Sequence, residues 1–144
     1  MEVGCGKSPQ TTSQIFNAAA TSVGQVIQEV DPGWKDLPTY KNLVKEATPL
    51  IAEGLTGTNG QKALQIVSEI VTLVESVPNI PSQYQVIMSI GVAGFTTVLA
   101  LLQKAQGAQV TEKVQYHSVQ AYQKAWNSEI GKHAELSKAK LAIQ

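Results

Sequence analysis

Apolar positions recur along this chain at helical spacing, and glycine and proline divide the pattern into five segments. With residues about 100° apart, segment 11–30 gathers Ile15, Phe16, Ala19, Ala20, Val23, Val26, Ile27 and Val30 on one face. Asn17, Thr21, Gln25, Gln28 and Glu29 fall on the other. Thr11 and Gln14 read as a capping box, and Asp31-Pro32-Gly33 as the stop. Segment 38–55 groups Tyr40, Leu43, Val44, Ala47, Leu50, Ile51 and Leu55, with Pro49 expected to kink or split it. In segment 61–77, Leu64, Ile66, Val67, Ile70, Val71, Leu73, Val74 and Val77 cover about half a helix circumference. Period two fails there, so its β-branched residues read as helix.

Segment 82–106 breaks the amphipathic rule. It lies largely within a 28-residue stretch, Ser76 to Gln103, that carries no charge. Such a run is either a membrane span or the most buried helix of a bundle. Four other segments have apolar faces that need cover, and no basic cluster flanks the run, so the bundle is the preferred reading. Ser82 and Gln85 can cap its start, and Gly91 and Gly94 would let a neighbouring helix come close. The last segment, from about 109 to the C-terminus, carries most of the aromatic weight. Val119, Tyr122, Trp126, Ile130 and Leu141 share one face, with His133 inside the stripe. A continuous helix there would reach about 50 Å, against about 30 Å for the others. Its end should therefore fold back near Gly131 or project. A turn at Gly107 is preferred to one helix of about 90 Å running on from residue 82.

The predicted fold is all-α: a bundle of four to five helices with a central apolar helix (82–106) and a long C-terminal helix. Residues 1–10 are expected to be a flexible tail or tether, and 11–144 one domain. A length of 144 residues suits one core without disulfide or metal support. Lys+Arg and Asp+Glu balance at 11 each, so no net field draws the chain to nucleic acid. Cys5 is the one cysteine and cannot form an internal disulfide.

Candidate chemistry is sparse. Gly4-Cys5-Gly6-Lys7-Ser8 looks like the end of a phosphate loop but lacks the upstream glycine and strand. His117 and His133 would lie about 160° apart on one helix and cannot share a metal. Glu129 and His133, four residues apart, read as a surface pair, since bundle metal sites use Glu-x-x-His from two helices. No Gly-x-Ser-x-Gly occurs, and Glu46 and Glu53 sit among Lys41, Asn42 and Lys45 as a solvated face. Trp34, Trp126, Tyr116 and Tyr122 read as core rather than as a ligand pocket. Lys132, Lys138 and Lys140 alternate with Glu129 and Glu135 as a mixed-charge face. No catalytic residue, cofactor or metal is predicted.

Val3-Gly4-Cys5, followed by the polar run Gly6-Lys7-Ser8-Pro9-Gln10, resembles the junction at which a bacterial lipoprotein signal is cleaved. The resemblance covers about seven residues. It implies that Cys5 becomes a lipidated first residue and that the following residues tether a domain to the cell envelope. Glu2 departs from the leucine typical of that junction, and no basic and apolar signal region precedes it. Met1-Glu2 standing in place of a native signal would account for both departures. The functional expectation is a non-catalytic binding or structural module with a protein partner or self-association. Trp126, Ile130, His133 and Leu141 would form the interaction element, and membrane contact would run through Cys5. Two other readings are a membrane-active protein of phage lysis or exclusion type, inserting 82–106, and a carrier of a small apolar ligand.

Overall fold

A computed structural model describes the backbone of residues 3–143 and the side chains of residues 10–143. Among these residues the fold is all-helical, with no strand. The α-helices are α1 (Val3–Val30), α2 (Leu37–Glu53), α3 (Gly57–Glu75), α4 (Gln85–Ala105) and α5 (Val119–Ile130). Two short 3-10 turns, Ser82–Tyr84 and Ala134–Ala139, complete the order.

Consecutive helices run antiparallel, and α4 returns to pack on α1, closing an up-down-up-down ring of four. Its interior is apolar. Ile15, Phe16, Ala19, Val23, Val26 and Ile27 of α1 are buried, as their common face requires. Tyr40, Ala47 and Ile51 of α2 meet them, with Ala63, Val67, Ile70 and Val74 of α3. Phe95 of α4 lies edge-on to both Phe16 and Tyr40, with ring centroids 5.9 and 6.4 Å apart. Such edge-to-face pairs add to the burial of area itself.

Helix α4 packs against α1, α3 and α5. Met88, Phe95, Leu99 and Leu102 are buried on one of its faces, and Ile87 and Val98 on the next. Gly91 and Gly94 set how closely its neighbours approach. A Cβ on Gly91 would stand 2.3 Å from Val23 Cγ2, and one on Gly94 would stand 2.6 Å from Tyr122 Cε1. The first contact seats α1 and the second seats α5.

The C-terminal region departs from the expected long helix. The chain turns at Gly107, whose φ of +72° suits glycine. Residues 108–118 then run back along α4, because α4 offers them hydrogen bonds. The Gln103 amide donates to Thr111 Oγ1 (2.9 Å) and accepts from the Thr111 N–H (3.0 Å). Buried Thr97 accepts from the Gln115 N–H at 3.1 Å. Ser118 then caps α5, its hydroxyl accepting from the Ala121 N–H at 3.1 Å. Helix α5 has only 12 residues and lies in the groove between α1 and α4. The chain folds back beyond Ile130 rather than projecting.

Smaller expectations also change. Helix α1 starts at Val3, so the segment expected as tail over 1–10 is helical from Val3 on, and Thr11 lies inside the helix rather than at a cap. Pro9 there leaves the residue 5 carbonyl, four positions back, without its helical donor. Pro49 does not split α2. It sits at an exposed position, where water can satisfy the orphaned Lys45 carbonyl, while Thr48 Oγ1 donates to the Val44 carbonyl at 2.7 Å. Ser82 makes no capping bond; Gln85 instead donates to the Ile80 carbonyl at 3.4 Å.

Candidate functional site

The antiparallel ring brings three turns to one end of the bundle: 31–36 between α1 and α2, 76–84 between α3 and α4, and 131–133 after α5. A cluster of polar side chains gathers there. Asn79 Nδ2 reaches Asp31 Oδ2 across 3.5 Å and 48 positions of sequence. Tyr84, buried at the start of α4, donates its hydroxyl to Glu135 Oε2 at 2.5 Å. The His133 ring packs edge-on against Tyr84, with centroids 5.2 Å apart.

His133 sits between two carboxylates, its Nε2 3.3 Å from Glu129 Oε2 and its Nδ1 3.9 Å from Glu135 Oε2. Lys132, itself exposed, approaches Glu129 Oε1 at 3.4 Å. The short bond from Tyr84 holds the Glu135 carboxyl below the ordinary carboxylate range, helped by a backbone hydrogen bond. The same bond pushes the Tyr84 phenol up. Such a phenol stays protonated at neutral pH and cannot serve as a base. Among the described residues no group of three His, Cys, Asp or Glu side chains is arranged to hold a metal ion. The cluster is a polar latch that fastens the 131–135 turn to the start of α4.

Behind that latch lie the residues expected to recruit partners. Trp126 is fully buried, and its indole N–H donates to the Ala139 carbonyl at 2.8 Å. Ile130 is buried as well. Leu141 is half-buried and held on both sides by Asn127, whose Oδ1 accepts from the Leu141 N–H (2.8 Å) and whose Nδ2 donates to its carbonyl (2.7 Å). Leu136 and Ala139 fill the space between. The predicted interaction stripe is therefore turned inward, because a fold-back at Gly131 supplies its own cover for Trp126 and Ile130. Of that set, His133 retains only a small exposed edge, with 13% of its side chain accessible. The Cys5 side chain lies outside the described residues.

The other candidates resolve simply. His117 is exposed, and Glu46 and Glu53 are exposed on α2. Trp34, Tyr116 and Tyr122 are buried, as core residues should be. Tyr122 shares its hydroxyl with Ser22 at 2.9 Å, and Tyr40 donates to the Ala20 carbonyl at 2.8 Å. Burial pushes both phenols well above the ordinary tyrosine range.

Sequence reasoning missed Asp31, Asn79, Tyr84 and Glu135 as a group. Asp31 reads as part of a helix stop, yet it is only 8% exposed. It lines a cleft of about 580 Å³ with Gly33, Trp34, Lys35 and Asp36 on one wall and Ser76, Pro78 and Asn79 on the other. Nothing local in Asp31-Pro32-Gly33-Trp34 signals that burial, which depends on the α3–α4 turn closing over it.

No protein-family model, curated protein or solved structure matches this chain.

Proposed function

We propose that this chain is a non-catalytic helical-bundle binding or structural module, carried on the bacterial cell envelope by a lipid on Cys5. In this reading α4 is the core helix of a soluble bundle and not a membrane element. The observation that carries it is how α4 spends its apolar surface. By length and composition the helical run 82–105 could cross a membrane, yet its most apolar window is 56% buried against the other helices. The apolar faces of α1 and α5 both rest in part on α4. Inserting α4 into lipid would strip each of that contact.

Support for a non-catalytic role comes from the cluster at the bundle end, whose groups satisfy one another as a latch. Partner recognition would fall on surface the bundle leaves free, such as the half-buried Leu43, Leu64, Ile66, Val71 and Leu73 along α2 and α3.

Liposome flotation of the Cys5→Ser protein, with its solution mass from light scattering, tests this reading. Protein that remains soluble, monodisperse and off the vesicles supports a buried α4. Protein that floats without its lipid favours the membrane-active reading and overturns ours. Mass spectrometry of the protein expressed with its native upstream sequence tests the tether, and an unmodified, uncleaved N-terminus would overturn it.

A further inference from the structure

The cleft between the α1–α2 and α3–α4 turns combines features that a purely structural turn does not need. Asp31 is more than nine-tenths buried, and its carboxylate meets one described side-chain donor, the Asn79 amide, at the 3.5 Å limit of a hydrogen bond. No described lysine, arginine or histidine forms an ion pair with it; Lys35, on the same wall, is exposed. Both α1 and α3 finish here, at Val30 and Glu75, and neither carries a basic residue in its last turn. The C-termini of α1 and α3 bring partial negative charge to this end, offset in part by the N-termini of α2 and α4, and Asp36 adds a second carboxylate at the wall. Leaving a buried carboxylate so weakly paired costs free energy that a cation would recover. The wall that carries Asp31 also holds an aromatic residue. Trp34 is 6% exposed and lines the cleft, and its indole N–H donates to no described residue.

From this juxtaposition we propose that the cleft formed by Asp31, Trp34, Asp36 and Asn79 is a binding site for a small organic ammonium ion. The ammonium would pair with the Asp31 carboxylate and lie against the Trp34 indole, an arrangement that favours a weakly hydrated organic cation over a metal ion. Asn79 would supply its amide oxygen, since its Nδ2 already turns to Asp31. A volume of about 580 Å³ suits a small molecule rather than a peptide. The site is independent of whether Cys5 carries a lipid.

The test uses the full chain, ¹⁵N-labelled and titrated at constant ionic strength with choline and, separately, with ethanolamine. The Trp34 indole N–H and the Asn79 side-chain amide report directly. Expected are saturable shifts of both signals with at least one of these ammonium ions, weakened about tenfold or more in Asp31→Asn. Calcium chloride at matched ionic strength should leave them unmoved. Absence of saturable shifts with either ammonium, or a response that Asp31→Asn retains in full, overturns the proposal, and so does an equal response to calcium. Should Asp31→Asn fail to fold, Asp36→Asn together with Trp34→Leu takes its place, and unchanged ammonium affinity in both would be equally fatal. Flotation on phosphatidylcholine vesicles, compared with free choline, distinguishes a lipid headgroup from a soluble amine as the source.

Discussion

At the scale of single residues, one tight constraint is the approach of α4 to its neighbours. Alanine at Gly94 would drive its Cβ to 2.6 Å from the Tyr122 ring and 3.1 Å from Ala19, both already packed. Gly94→Ala is expected to lose about 1–3 kcal/mol despite its better helix propensity, read as a lower midpoint in urea unfolding. Buried hydroxyls form a second class. Tyr122→Phe leaves the buried Ser22 hydroxyl only its longer bond to the Ala19 carbonyl and should cost about 1 kcal/mol in the same assay. The two buried phenols also fix an alkaline limit. Tyr40 and Tyr122 hold their protons above the ordinary range chiefly because they are buried. The unfolded chain therefore releases protons first once pH passes about 10, and stability must fall from there. Thermal melts should vary little on account of these two phenols between about pH 7 and 9, then drop steeply.

Secondary-structure elements follow their own logic, and most of it was legible. The common face of α1 in the sequence is the buried face in the fold, because a 3.6-residue period has one geometric reading. Helix α5 was harder. Its start is marked only by Ser118, and nothing in 109–117 says that this stretch would rather bond to Gln103 and Thr97 than continue a helix. Those bonds join residues 8 to 18 apart in sequence and exist only once α4 is in place. Ser118→Ala should destabilise by about 1 kcal/mol, with hydrogen exchange accelerated first in α5. The latch after α5 is sensitive to acid. Glu135 ionises below the ordinary carboxylate range because Tyr84 bonds to it, so the latch contributes in full above that range and is lost as pH falls through it. The wild type should melt above Tyr84→Phe at neutral pH, and the gap should close between about pH 5 and 3. A gap unchanged across that range would mean the bond does not hold the turn.

On the scale of the whole molecule, helical periodicity together with one segment apolar nearly all round determined an all-helical chain with a substantial core. Composition determined that no net charge steers it. Those properties reside in local order, and the sequence carries them because each helix must place its apolar residues on the side that will be covered. Which surfaces cover which was decided by tertiary structure alone. Trp126 reads both as core and, with Ile130, as part of an interaction stripe until residues 131–141 fold over them, and Asp31 reads as a helix stop until Asn79 arrives from 48 positions away. Both outcomes depend on chain segments meeting across a loop, where the free energy lies in contacts that no window of sequence contains.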